Sequence, residues 1–318
     1  MSEKTLRIII GAVVVLVAAY ALAAMIGGSP SSASGDDARA LVRALEDARK
    51  DDLEAIRIVG PEPGDSTELV RGADGTWSAN GKPADSAAVA RLMDALEEAR
   101  VGHLAAANPD NHARLGVAAD STWQLELRRA GADEPIRLLL GENGPSYPSV
   151  YARLPDADEV FVVSGTLGNA ARRRAADWRD RVVVRADTAA VRRIVVTRDK
   201  ATYTLARGDS ARWTVDGAPA DSGTVAELLR ELARLEAQAF APDSATLDKV
   251  TRSVLALGEA GDTLALVRAA PTEQSWTWRA AAAGKGAASG LGGDVFELAG
   301  WRVDRIAPEK GKVAGSGG

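Results

Sequence analysis

The feature that most constrains the fold is an internal repeat. Trp77 to Leu96 reads WSANGKPADSAAVARLMDAL and Trp213 to Leu232 reads WTVDGAPADSGTVAELLREL, an offset of 136 with 10 of 20 positions identical. The match runs upstream without a gap: Leu69, Arg71 and Gly72 pair with Leu205, Arg207 and Gly208, and Ile58-Val59 pair with Ile194-Val195. Downstream, Glu159-Val160-Phe161 resembles Asp294-Val295-Phe296, and Trp178-Arg179-Asp180-Arg181 loosely resembles Trp301 to Arg305. A chain that carries one pattern twice folds as two copies of one supersecondary unit.

Each copy reads as an α+β unit. Ala55 to Val59 is a strand, and Thr67–Arg71 with Thr76–Ala79 forms a hairpin around Gly72 and Asp74-Gly75. Asn80-Gly81 marks a second turn. Val89, Leu92, Met93 and Leu96 then give the i, i+3, i+4, i+7 stripe of a half-buried helix, repeated by Val225, Leu228, Leu229 and Leu232. Trp123, Leu125 and Leu127 alternate with polar residues, and Ile136–Leu140, Val150–Leu154 and Val160–Val163 are further strands. Thr166 to Asp177 reads as a second helix. Short links favour antiparallel pairing.

Ahead of the repeats, residues 8–26 (IIIGAVVVLVAAYALAAMI) hold no charge over 19 positions. As a helix that run spans roughly 28 Å, close to a hydrocarbon core of about 30 Å. Lys4 and Arg7 precede it and no Lys or Arg follows until Arg39, which favours a cytoplasmic N-terminus and an exported remainder. The competing reading is a cleaved signal peptide, with Ala21-Leu22-Ala23 as the small-x-small site, but its apolar region usually runs only about 7–15 residues.

The expected organisation is a cytoplasmic N-terminus (1–7), a transmembrane anchor (8–26), a flexible Gly/Ser/Pro linker (27–36) and an amphipathic helix (37–50). Repeat one (51–185), repeat two (186–308) and a disordered tail (309–318) follow. The location this implies is the bacterial inner membrane, single-pass, with the bulk of the chain periplasmic or extracytoplasmic.

The 318 residues include no cysteine and only two histidines, and the formal net charge is −5. That excludes disulfides, thiolate metal sites and a cysteine nucleophile, and leaves no electrostatic footprint for nucleic acid. No catalytic motif, cofactor motif or metal-ligand spacing is present, so the chain reads as a binding or scaffold protein rather than an enzyme. The alternatives are a membrane-tethered, carboxylate-dependent glycan hydrolase or a cell-wall glycan-binding module. Trp77 and Trp213 fit a glycan platform, but their duplication favours core tryptophans packing a helix onto a sheet. Asp85 and Asp221 follow Pro-Ala and open a helical stripe, the setting of an N-cap. His103 and His112 read as lone surface or rim residues. Gly284 to Gly290 lacks the order of a phosphate loop. Arg172, Arg173, Arg174, Arg179 and Arg181 form a basic patch, either a solvated helix face or a docking surface for anionic headgroups or an acidic partner.

One ordered set of short motifs carries a family resemblance. It comprises the N-terminal anchor, Leu69-x-Arg71, Trp77, Ala84-Asp85, Leu115-Gly116, Leu140-Gly141, Val150 to Arg153, Val160-Phe161, Trp178 to Arg181 and the second Trp213…Ala220-Asp221 copy. Over roughly residues 50–240 the chain resembles domain of unknown function 4340. Leu115-Gly116-Val117 departs from the family's Gly-Leu-x-x-Pro stretch. The family brings no catalytic residues. Its members are often encoded beside ABC-type permeases and gliding-motility-type proteins, so the resemblance implies an accessory role in an envelope transporter, with a membrane protein such as an ABC permease as partner.

Overall fold

The computed structural model describes residues 33–314, apart from 50–51, 63, 209, 243, 275 and 288–293. The expected anchor at 8–26 lies outside the described residues, as does most of the expected linker. Among the described residues no helix is long and apolar enough to cross a membrane.

A first helix, α1 (Ala33–Ala48), precedes repeat one. Repeat one contains β1 (Leu53–Val59), β2 (Ser66–Arg71), β3 (Trp77–Ala79), β4 (Lys82–Pro83), α2 (Ser86–Glu98) and β5 (Arg100–Ala106). It continues with β6 (Trp123–Arg129), β7 (Ile136–Asn143), β8 (Ser149–Arg153), β9 (Val160–Ser164) and α3 (Leu167–Ala171). After β10 (Val182–Val184), repeat two contains β11 (Arg193–Arg198), β12 (Ala201–Arg207), β13 (Trp213–Val215), β14 (Ala218–Pro219), α4 (Ser222–Ala233), β15 (Leu235–Glu236) and β16 (Ala239–Phe240). Then come β17 (Arg252–Leu257), β18 (Thr263–Pro271), β19 (Thr277–Ala283), β20 (Phe296–Ala299), α5 (Gly300–Ile306) and α6 (Lys310–Val313).

The fold is α+β, and the duplication extends to its topology. One nine-stranded sheet runs β4-β3-β2-β1-β6-β7-β8-β9-β5 and the other β14-β13-β12-β11-β17-β18-β19-β20-β16. Strand for strand the orders are the same once β10 and β15, which pair with each other, are set aside. The pairings whose register is defined are antiparallel, as in β1 with β6 and β11 with β17. The same local chemistry closes both short hairpins. Asn80-Gly81 and Asp216-Gly217 hold φ of 50° and 74°, and of 47° and 89°. Positive φ at both central residues is the requirement of the twist-matched two-residue hairpin turn.

By compactness the described chain divides into two units that do not follow the sequence boundaries. Unit one holds the residues up to Arg71 together with Ala90–Arg174, and unit two holds Gly72–Val89 with Ala175–Gly318. In unit one, Ile56, Ile58, Leu69, Leu125, Leu127 and Leu138 are buried. Unit two has a core of Val196, Tyr203, Leu205, Leu228, Leu232 and Phe296, among others.

Several expectations are corrected. Helix α1 begins at Ala33 rather than 37, and Asp36 lies inside its first turn, paired with Arg39. The second helix of repeat one ends at Ala171, not Asp177. There the Arg172 side chain reaches back to the Gly168 carbonyl (3.0 Å) and across to Gly141 (2.9 Å) and Asn143, and the chain resumes as a single 3₁₀ turn at Ala175–Trp178. The structure adds a strand over Arg100–Ala106, whose pairing with β9 is interrupted by two register shifts that break the apolar alternation. His112 is no surface residue: it is buried, with Nε2 2.8 Å from the Asp158 carbonyl oxygen.

The tail is also corrected. Residues 310–313 are helical and Val313 is fully buried. Lys310 reaches Asp216 at 2.6 Å, Thr224 donates to the Lys312 carbonyl at 3.1 Å, and Tyr203 donates to the Pro308 carbonyl at 2.7 Å. These contacts extend repeat two to residue 314.

Candidate functional site

The site is built from the piece the chain carries twice, a hairpin followed by a capped helix. Trp77 and Trp213 are the first residues of β3 and β13. Asp85 precedes α2, and its Oδ1 accepts from the backbone N–H groups of Ala87 (2.9 Å) and Ala88 (3.2 Å). Asp221 is the N-cap of α4 and accepts from Thr224 N–H at 2.7 Å. The Thr224 hydrogen bonds hold the Asp221 carboxyl below its usual range, because they favour the ionised form. Both carboxylates satisfy donors that the first helical turn leaves unpaired. Asp85→Ala should cost about 0.5–2 kcal/mol, the range for a lost cap, read as a lower midpoint in urea unfolding.

Each cap is closed by a second segment. Asp85 N–H donates to the Trp178 carbonyl at 2.8 Å, and Asp221 N–H to the Val313 carbonyl at 2.7 Å. Ala84 bridges Arg179, and Ala220 bridges Ala314. Trp178 therefore corresponds to Val313, and Ala175–Trp178 to α6. The likeness of Trp178 to Trp301 is coincidental. Trp178 and Val313 are both fully buried.

The two repeat-marker tryptophans are not core residues in the full sense. Both are half-buried. Trp213 packs against the core of unit two and also borders an open groove of about 520 Å³. Trp213 and Pro219 of the hairpin form one wall, and Ser222, Val225, Ala226 and Leu229 of α4 form the other. Those four helix positions stand at i, i+3, i+4 and i+7, one face of the helix. Val225 is buried beneath it, Leu229 is half-buried, and Pro219, Ser222 and Ala226 are exposed.

In repeat one the matching positions hold Trp77, Pro83, Ser86, Val89, Ala90 and Met93, with the same exposure class at every one. Five of these six residues are identical in both copies. The exposed Pro, Ser and Ala contribute nothing to a core, so packing does not account for their identity. Sequence reasoning missed this face because it treated repeated residues as core residues.

The arginine patch is not a continuous free surface. Arg172 is held by Gly168, Gly141 and Asn143 as described above. Arg179 lies 3.7 Å from the Phe240 ring centroid and 3.0 Å from Asp294, which also receives Lys82 at 3.1 Å. Arg181 donates to the Gln238 carbonyl at 3.2 Å. Arg173 is half-buried and Arg174 exposed, both in unit one with Arg172, whereas Arg179 and Arg181 belong to unit two. Buried Arg153 is likewise spent on the backbone. Its guanidinium donates to the carbonyls of Val117, Leu154, Pro155 and Ala157 at 2.8–3.1 Å, and desolvation lowers its pKa.

A family model described as Domain of unknown function (DUF4340) matches residues 76–251. The matched span starts one residue before Trp77 and ends one residue before β17, so it contains both hairpin–helix pieces. No curated protein and no solved structure matches the chain.

Proposed function

The chain belongs to the DUF4340 family, and from that premise we propose that it is a single-pass, membrane-anchored extracytoplasmic binding or scaffold protein, an accessory subunit of an ABC-type transporter or comparable envelope complex. The anchor is residues 8–26, with the N-terminus cytoplasmic and the repeats outside the inner membrane. The uncharged length of that segment and the Lys4/Arg7 flank support this reading.

The observation that carries the binding role is the exposed hairpin–helix face kept in both repeats. A groove of about 520 Å³ lies within the range of roughly 300–1,000 Å³ typical of ligand sites. Tryptophan, which borders this groove, is one of the residue types enriched among binding hot spots. The groove suits an apolar segment of a membrane-protein partner such as a permease.

Ala226→Arg tests the reading, because it fills the groove from an exposed helix position and leaves the core untouched. Tagged full-length protein in mild detergent should retain a transporter component as wild type and lose it as the variant, with an unchanged melting temperature. Equal retention by both would exclude the groove as the docking site. Retention of purified cell-wall glycan in its place, lost in the variant, would establish a glycan-binding module.

A further inference from the structure

We infer that the corner where β19 and α5 meet in unit two is a membrane-interface surface, built to lie among the headgroups of an anionic bilayer. The three most exposed large apolar side chains among the described residues are Tyr147 (80%), Trp276 (68%) and Trp301 (50%). Trp276 immediately precedes β19, and Trp301 is the second residue of α5. One backbone hydrogen bond joins the two segments, from Gly300 N–H to the Trp276 carbonyl at 2.8 Å.

Arginine flanks the Trp301 ring. Guanidinium carbons of Arg302 and Arg305 stand 4.8 and 4.7 Å from the Trp301 ring centroid. Both arginines pair with the buried carboxylate of Glu231 on α4, at 2.9 and 3.3 Å. Two positive charges share one negative charge, so one positive charge remains beside the Trp301 ring, while the exposed carboxylate of Glu273 stands three residues before Trp276. Asp304 on the same helix pairs with Arg198 at 2.8 Å, and the same guanidinium also reaches Glu309 at 3.4 Å. Indoles, with an apolar body and a polar N–H edge, are enriched where membrane meets water. A nearby cationic side chain adds attraction to an anionic leaflet. A sugar platform needs a bare ring face, whereas Trp301 already carries guanidiniums.

Repeat one exposes a different aromatic side chain at the matching corner. Gly165 N–H donates to the Pro148 carbonyl at 3.0 Å, the counterpart of the Gly300–Trp276 bond. Tyr147 stands at that corner with its hydroxyl accepting from Asn169 Nδ2 at 3.2 Å. Helix α3 then leads into Arg172, whose guanidinium is held by the Gly168 and Gly141 carbonyls and Asn143. Aromatic exposure thus recurs at equivalent corners without sequence identity, which a shared core does not require.

This inference rests on the membrane-tethered reading, and the test separates the two. Full-length protein is reconstituted into phosphatidylglycerol vesicles with acyl chains brominated near the headgroup, or unbrominated. The wild type is compared with the W276F/W301F double variant, whose changes lie at exposed positions. Bromine should remove the emission by which wild type exceeds the variant, and phosphatidylcholine vesicles should remove less of it. A difference spectrum unaffected by bromine would overturn the corner, whether or not the protein stays on the vesicles. Retention through an alkaline carbonate wash reports the tether alone. Quenching with loss in the wash would keep the corner as a peripheral lipid site and overturn the tether.

Discussion

Trp178→Ala is expected to cost about 3–5 kcal/mol, the range for truncating a buried aromatic side chain. The indole is fully buried, and the backbone at the same residue accepts the N–H of Asp85. The loss is a large share of a typical domain stability of about 5–15 kcal/mol. Urea unfolding of the full chain, followed by circular dichroism, measures it as a fall in midpoint. Trp213→Ala should cost less, because its indole faces a groove on one side. If the order were reversed, the assignment of Trp178 to the core and Trp213 to a surface would be wrong.

The counterpart of Trp178 offers the second large effect. Val313→Asp places a carboxyl where the structure leaves no exposure. Full burial raises a carboxyl pKa by up to about 3–5 units, and each unit is worth about 1.4 kcal/mol. The expected loss at neutral pH is therefore about 4 kcal/mol or more. The folded-state pKa of this aspartate lies above its unfolded value, so the penalty applies to the ionised form and shrinks as the pH falls toward the carboxylate range. Unfolding midpoints of wild type and variant at neutral and mildly acidic pH should converge on the acid side. A variant as stable as wild type at neutral pH would mean that residues 310–314 do not complete repeat two.

The first hairpin and its helix were legible in the sequence because their identities stand at a constant offset of 136 and their turn needs Asn-Gly or Asp-Gly. The strands beyond were harder to align, because loops of unequal length shift the register. Ile58 faces Leu125 and the equivalent Ile194 faces Ala256, a separation of 131 between partners. Ser149 faces Ser164 and Thr277 faces Ala299, so β8 and β19 stand 128 apart while β9 and β20 stand 135 apart. Strand alternation survives such shifts, but identity does not. Val313 was invisible as the partner of Trp178 because the two positions share only burial and one accepted hydrogen bond. The arginine patch misled for a related reason: sequence proximity set five guanidiniums together, whereas Arg172, Arg179 and Arg181 serve local backbone and carboxylate partners. The groove was misjudged because repetition was taken to mean burial, when half of its repeated residues are exposed.

The central claim is that the duplicated hairpin–helix face binds a partner. Site-specific photocrosslinking tests it most directly. A photoreactive phenylalanine analogue at position 226 stands on the exposed helix side of the groove, and a second, at position 90, holds the matching exposed helix position of repeat one. A third at Lys200, an exposed residue of the β11–β12 turn, serves as control. Irradiation of cells carrying the full-length protein should yield a discrete adduct from 226 and 90, identified by mass spectrometry as a membrane transport component, and none from 200. Adducts of equal yield from all three positions, or from 200 alone, would contradict the claim.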